Sequence, residues 1–249
     1  MKLTLTEPRF LKEPIAIISE LVTDVKFKVN KDKIELVAMD PANVAMINFK
    51  LLASAFVEYD VEDDKTIGIN LEHFRNVLRR AKPTDTVTLV LDEEKNRLTI
   101  QLKGESTRTF RLALIDIEDT GQKVPELKFP LTIETSTMLF DEAVEDMDIV
   151  SESILFSVDN QKFYIKASGT TNNASIEITT DDETTITTEG DAKIESRYSI
   201  EYLKKLIRIS RLTDTVVVKF NNDYPLMLEY NVLNKLQFRV ILAPRVAND

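Results

Sequence analysis

The sequence predicts an α+β fold built from two similar halves of roughly 120 residues each. Residues 71–89, LEHFRNVLRRAKPTDTVTL, return without a gap 129 positions later as residues 200–218, IEYLKKLIRISRLTDTVVV. The copies share Glu72/Glu201, Arg79/Arg208 and the quartet TDTV. They keep their character at Leu71/Ile200, Phe74/Leu203, Arg75/Lys204, Val77/Leu206, Leu78/Ile207 and Lys82/Arg211. Around each copy lies the same order of short strands and helices. The strands follow one another through turns such as DEEKN and NNDYP, without the strand–helix–strand alternation of a doubly wound parallel sheet. Each half therefore reads as an antiparallel β meander with two helices.

The first helix is expected over residues 9–23, where Phe10, Leu11, Ile15, Ile18, Leu21 and Val22 recur at three- and four-residue spacing. Pro14 lies inside it, which predicts either a kink or a start delayed until the proline falls in the first turn. Strands are expected in KFKVN, KIELVAM, VAMINFKL and FVEYDV, then a helix over 71–81, then strands in TVTLVLD, RLTIQLK and TRTFRLALI. The second half predicts a strand near 129–137, a helix near 139–150, and strands in ILFSVDN, KFYIKAS, ASIEITT and TTITTEG. A helix over 200–210 and strands in TVVVKF, LMLEYNV and LQFRVIL complete it.

Domain boundaries follow: a first domain over 1–114, a connector over 115–129 and a second domain over 130–249. The connector IDIEDTGQKVPELKF carries Gly121, Pro125 and a cluster of charges, with no sustained period of 2 or 3.6. Ile115, Ile117 and Val124 sit in it without an evident core to enter. They either staple the connector down or form one wall of a binding site.

Composition removes whole classes of chemistry. With no cysteine there are no disulfides, thiolate nucleophiles, iron–sulfur clusters or cysteine-ligated zinc. The single histidine, His73, lies in the predicted helix 71–81 opposite Tyr202 of the repeat and reads as helix surface or core edge. The five glycines form neither G-x-G-x-x-G nor G-x-x-x-x-G-K-[ST], and no EF-hand loop is present. The acidic clusters VEDDK, DEEK, DDE and FDEAVEDMD are candidates for paired carboxylates or a magnesium site, with Asp146 and Asp148 as the residues to test. Three of the clusters fall in predicted turns, where solvated charge is routine. No cofactor is implied. The N-terminus has no apolar run of signal-peptide kind, and nothing approaches the about 20 apolar residues of a membrane span. A cytoplasmic or nuclear placement is therefore expected, with no membrane partner.

The charge is unevenly spread. The chain carries a formal net charge of -10. Yet Arg75, Arg79 and Lys82 fall at i, i+4 and i+7 on one helix face, and Lys204, Arg208 and Arg211 repeat that spacing. Residues 71–82 hold four basic side chains against Glu72, and residues 200–211 hold four against Glu201, so each segment is net +3. One such stripe reads as a solvated helix surface. Two at equivalent positions in an acidic chain point to a partner with spaced negative charge, of which a nucleic-acid backbone is the commonest. The stripes lack interleaved aromatics, which favours a duplex over stacked single strands.

With the repeat, the connector and the basic helices in view, the sequence resembles the sliding clamps of the proliferating cell nuclear antigen (PCNA) family, in their archaeal form. The resemblance covers essentially the whole chain and is carried by LVAMDPANVAMI at 36–47, LIDIE at 114–118 and LAPRV at 242–246. It implies two similar clamp domains per subunit and three subunits closed head to tail into a ring around double-stranded DNA, with helices lining the channel. The protein would then be a non-enzymatic processivity factor. Its implied partners are a clamp loader (replication factor C), DNA polymerase, flap endonuclease and DNA ligase, besides itself as a homotrimer or sister clamp subunits.

Carried over by position, the DNA-facing residues are Lys12, Arg75, Arg79, Lys82, Lys204, Arg208 and Arg211. The helix near 139–150 should also face the channel, yet FDEAVEDMDIV holds five acidic residues and no basic one. An uneven lining is therefore expected, with the cationic work on the two repeated helices. The resemblance also implies a pocket for the short PIP-box motif of partners, walled by Met39, Asn43, Val44, Ile115, Ile117, Val124, Pro225, Ala243, Pro244 and Val246. Subunits would join by strand addition through Arg108, Phe110 and Leu112 on one edge and Ile176 and Ile178 on the other. Two other readings stand beside this one: a clamp-fold scaffold or checkpoint-type subunit that does not support polymerase, and a carboxylate- or metal-dependent enzyme on an unrelated α+β fold.

Overall fold

The computed structural model describes residues 1–118, 122–190 and 193–245. The chain divides into two compact units. The first comprises residues 1–43, 47–124 and 232–238; the second comprises 44–46, 125–231 and 239–249.

In the first unit the elements run β1 (Lys2–Leu5), α1 (Arg9–Ile18), β2 (Asp24–Val29), β3 (Lys33–Met39), β4 (Ala45–Leu52), β5 (Glu58–Asp60), β6 (Lys65–Asn70), α2 (Leu71–Leu78), β7 (Thr86–Asp92), β8 (Arg97–Lys103) and β9 (Thr107–Ala113). One antiparallel sheet has the order β5-β1-β7-β8-β9, and β2 pairs antiparallel with both β3 and β6. Strand β2 alternates cleanly, with Val25, Phe27 and Val29 buried between exposed or half-buried Asp24, Lys26 and Lys28. Its buried face meets the helices: Phe27 contacts Phe74 of α2 edge to face, centroids 6.1 Å apart.

Helix α1 starts at Arg9 and runs through Pro14 to Ile18, so the proline does not delay the start. Pro8, already at φ -54° and ψ -26°, occupies the N-cap position, and its carbonyl accepts the Lys12 N–H at 2.8 Å. Pro14 is buried beside Phe10, Leu11, Ile15, Ile17 and Ile18. The helix stops five residues short of the expected 23, because Leu21 belongs to the following turn and Val22 lies beyond it.

The second unit holds β10 (Leu131–Ser136), α3 (Thr137–Asp148), β11 (Ser153–Asp159), β12 (Lys162–Ser168), β13 (Asn173–Thr179), β14 (Thr185–Thr188), β15 (Ile194–Ser199), α4 (Ile200–Leu206), β16 (Thr215–Lys219), β17 (Leu226–Val232) up to residue 231, and β18 (Leu236–Leu242) from residue 239. One sheet has the order β13-β12-β11-β15, and β10 pairs with both β14 and β16. Its core centres on Phe156, whose ring lies 5.8 Å from Phe140, 5.4 Å from Phe163, 5.6 Å from Tyr198 and 6.0 Å from Phe220.

Three strands carry no expectation from the sequence: β1, β6 and β15. Strand β6 contains Gly68, which weakens the strand signal. The buried face of β15 is Ile194, Ser196 and Tyr198, and a serine at a core position breaks the apolar alternation. The repeated helices are also shorter than expected. α2 ends at Leu78, and α4 ends at Leu206 and continues as a 3₁₀ segment over Ile207–Leu212.

Candidate nucleic-acid interface and docking cleft

In the first unit α1 packs beside α2. Asn70 caps α2, its side-chain oxygen accepting the His73 N–H at 3.1 Å, and Glu72 occupies the electropositive first turn. Leu71, Phe74, Val77 and Leu78 enter the core, so the opposite side is left to Arg75, half-buried, and to Arg79 and Arg80, exposed. Lys12 donates to the Ala81 carbonyl at 3.2 Å, and Lys82 pairs with Glu105 at 3.1 Å. Arg9, Lys12 and Lys82 line one cleft of about 300 Å³ between the start of α1 and the turn after α2. Lys12, Arg75, Arg79 and Lys82 therefore all belong to the α1–α2 side of this unit.

The turn after α2 rests on Asp85 of the repeated quartet. Its buried carboxylate accepts the Lys82 N–H at 2.9 Å and pairs with Arg108 of β9, whose other amino group reaches the Arg80 carbonyl at 2.9 Å. In the second copy the matching residue, Asp214, is exposed, and its carbonyl accepts the Thr137 N–H at 2.9 Å. Identical letters thus do different work in the two halves.

The second unit's basic residues meet a different neighbour. α4 packs against α3, whose exposed face carries Glu142, Glu145, Asp146 and Asp148. Lys204 lies 2.6 Å from Asp148 and 3.5 Å from Glu145, and the hydrogen bond to Asp148 raises its pKa. Lys205 pairs with Glu201 at 2.7 Å, which holds that carboxyl below its ordinary range. Arg208 is half-buried, its Nε donating to the Lys205 carbonyl at 3.3 Å, while Arg211 is exposed. Beneath them burial pushes the Asp141 carboxyl up to about 6, against a hydrogen bond from Ser210 and with Glu145 adding to the rise.

On the outer face of β2 and β3, opposite α2, lies a cleft of about 410 Å³. Its floor is Asp24, Lys26 and Lys28 of β2 with Glu35, Val37 and Met39 of β3; its wall is Ile117, Glu118, Gln122, Lys123 and Val124. The wall is anchored where the Ile115 N–H donates to the Gly68 carbonyl at 3.0 Å. The absent side chain of Gly68 makes room: a Cβ there would lie 2.1 Å from the Ile115 carbonyl oxygen. The loop after β3 is a turn in which Asp40 accepts the Ala42 N–H at 3.1 Å and Asn43 takes φ 57°.

The structure thus brings Met39, Ile117 and Val124 to one cleft, with Ile115 at its anchor. In the second unit the Ala243 N–H reaches the Val44 carbonyl at 2.8 Å. Pro225 and Pro244 are half-buried, and Val246 lies outside the described residues, as do 119–121 of the connector. Among the described residues no group of three or more His, Cys, Asp or Glu side chains is placed to hold a metal ion. No described helix is long and apolar enough to cross a membrane.

The family model of the proliferating cell nuclear antigen N-terminal domain matches residues 1–122, and that of the C-terminal domain matches residues 123–245. The chain belongs to the proliferating cell nuclear antigen family. Among PCNA-family relatives, a DNA polymerase sliding clamp of Thermococcus onnurineus is 37% identical over 232 residues, covering 93% of each chain. One of Pyrococcus furiosus is 36% identical over 228 residues, covering 92% of this chain and 91% of its own. A crystal structure of PCNA from Thermococcus kodakaraensis superposes with a TM-score of 0.91 at 27% identity, covering 98% of this chain and 99% of that one. The PCNA2-PCNA3 complex of Sulfolobus tokodaii matches with a TM-score of 0.88 at 25% identity over the same shares. The two-domain α+β architecture of the PCNA fold is thereby shared.

Sequence spacing left out Arg80, which an unbroken helix would turn away from the stripe. Because α2 ends at Leu78, Arg80 is exposed in the turn. The signal was present in its charge, and the early helix end was the missing information.

Proposed function

We propose that the protein is a DNA polymerase sliding clamp: a ring of three subunits that encircles duplex DNA and tethers replication enzymes, without catalysis of its own. The observation that carries this reading is the match of both halves to the PCNA family, in a chain whose duplicated helices present cations outward from an acidic protein. Lys12, Arg75, Arg79, Lys82, Arg208 and Arg211 are the candidates for phosphate contact in the channel lining, and Lys204 belongs to the same lining but is already engaged by Asp148 and Glu145. Phosphate contacts of this kind are sequence-independent and salt-dependent, which suits a protein that slides. Topological closure of a ring makes tight binding unnecessary.

The cleft walled by the connector is the proposed seat of PIP-box peptides, with Met39, Ile117 and Val124 as its apolar contacts. Asn43, Val44, Ile115, Pro225, Ala243, Pro244 and Val246 complete the set that the family resemblance assigns to it. DNA polymerase, flap endonuclease and DNA ligase would dock through it, and a clamp loader would open the ring. β9 and β13 each end a sheet, with one edge unpaired among the described strands. Phe110 and Leu112 on β9 and Ile176 on β13 are half-buried, which suits strand addition between subunits; Ile178 is buried and Arg108 is held by Asp85.

Light scattering across a dilution series tests the assembly. A species at three times 28.4 kDa is expected, whereas a persistent monomer would refute the homotrimer and turn the test to mixtures with sister clamp subunits. Primer extension on a singly primed circle, with clamp loader present, tests the activity. A sound ring that leaves extension unchanged would favour the scaffold reading.

A further inference from the structure

The two basic stripes that are alike in sequence are not alike once folded. In the first unit, α1 together with residues 71–82 bears six basic side chains, Arg9, Lys12, Arg75, Arg79, Arg80 and Lys82, against Glu13 and Glu72, a net of +4. In the second, α3 with residues 200–212 bears four, Lys204, Lys205, Arg208 and Arg211, against five carboxylates on α3 and Glu201, a net of -2. Coulomb attraction to phosphate has opposite sign over the two surfaces.

Local contacts sharpen the difference. Lys204 is already held by Asp148 and Glu145, and Lys205 by Glu201. Among the described residues, no ion pair engages Arg75, Arg79 or Arg80. The exposed face of α3 also carries large apolar side chains, Met138 at 68% and Ile149, just past its end, at 82% exposure. They are eleven residues apart, three helical turns, so they bracket Glu142 and Glu145 on one stripe. A stripe of carboxylates and hydrocarbon offers a phosphate backbone neither positive charge nor hydrogen-bond donors.

We propose that duplex contact is carried by the first unit, through Arg75, Arg79 and Arg80, and that α3 withholds Lys204 of the second unit from phosphate. The proposal rests on the clamp reading above and adds to it an uneven ring interior. A duplex inside such a ring is held through one surface of each subunit. Each subunit then contributes one attracting and one repelling surface, which limits residence at any one place and favours sliding.

The test is fluorescence anisotropy of a labelled linear duplex against the assembled protein, titrated over about 50 to 200 mM salt. Four forms are compared: the unaltered chain, Arg79→Gln with Arg80→Gln, Lys204→Gln, and Glu145→Gln with Asp148→Gln. Light scattering and circular dichroism establish that each is folded and assembled. Each phosphate contact adds about 0.9 to the magnitude of the slope of log affinity against log salt. The arginine pair should lower that magnitude by about 1.8 for each subunit in contact. Lys204→Gln should leave it unchanged, and the α3 double variant should raise it by up to about 0.9, by freeing Lys204. A drop on Lys204→Gln equal to that of one arginine would overturn the inference while leaving the clamp reading intact. No change in any variant would overturn both the inference and the channel lining itself.

Discussion

Replacing Gly68 by alanine should loosen the docking cleft without unfolding the unit that carries it. Gly68 lies in β6 with an ordinary negative φ, so alanine meets no backbone strain there, unlike at Gly190 with φ 112°. The obstacle is contact: the new Cβ would stand 2.1 Å from the Ile115 carbonyl oxygen, 3.2 Å from its carbon and 3.4 Å from the Ile117 Cδ1. To reach ordinary C···O separation the connector has to retreat by about 1 Å. That retreat lengthens the Ile115 N–H bond to the Gly68 carbonyl, now 3.0 Å, which is worth a net ~1 kcal/mol. Together with disturbed packing of the half-buried Ile115 and Ile117, a cost of about 1 to 3 kcal/mol is expected.

The connector is the softer partner, because β6 is held along its length by β2, from Asp24 against Asn70 to Val29 against Lys65. The cost should therefore appear as a displaced wall, and titration calorimetry with a PIP-box peptide should show at least about tenfold weaker binding, the equivalent of 1.4 kcal/mol. Circular dichroism and the mass of the assembly in solution should stay as they are. Unchanged peptide affinity, together with unchanged hydrogen exchange at the Ile115 amide, would refute the reasoning that Gly68 sets the position of the wall.

Three further outcomes are expected. Asp141 has a folded-state pKa of about 6 against an ordinary 3.8, so its ionisation costs stability above about 6, and the cost is relieved as pH falls from there toward 3.8. After discounting for partial solvent access the cost is about 1 to 2 kcal/mol, so Asp141→Asn should raise the melting temperature near neutral pH and flatten its pH dependence between those values; an unchanged profile would refute the assignment. Ile115→Asp with Val124→Asp should weaken PIP-peptide binding by more than about thirtyfold while the assembly keeps its mass, and intact affinity would remove the connector from the proposed site. Phe156→Ala, at the centre of four ring contacts, should destabilise the second unit by about 3 to 5 kcal/mol in chemical denaturation, and a loss below about 1 kcal/mol would mean that the cluster repacks around the gap.

Much of the fold is legible in the sequence because periodicity reports burial directly. KIELVAM alternates as β3 alternates, with Ile34, Leu36 and Ala38 buried, and the repeat shows the duplication before any coordinate is seen. The strands that escaped are those where the rule is broken by a residue serving another purpose. Gly68 yields its side chain to the connector, and Ser196 takes a core position in β15 while its hydroxyl faces the Tyr224 carbonyl at 3.4 Å. The apolar residues of the connector were legible as a wall because they had no core to enter. Their anchor was hidden, since it depends on a glycine some fifty positions earlier that no local window connects to Ile115.

The basic stripes mark the deeper limit. Spacing along one helix says which side chains share a face, but the field at that face is set by whatever packs beside it. α2 has α1 as its neighbour, with two cations and one carboxylate; α4 has α3, with five carboxylates and no cation. The same reasoning applies to TDTV, where Asp85 is buried against Arg108 and Asp214 is left at the surface. A duplication preserves letters and backbone placement, yet the function of a charged residue belongs to the pair of elements that meet. Divergence of α3 alone is therefore enough to turn two equivalent stripes into one attracting and one repelling surface, with no change in α4 itself.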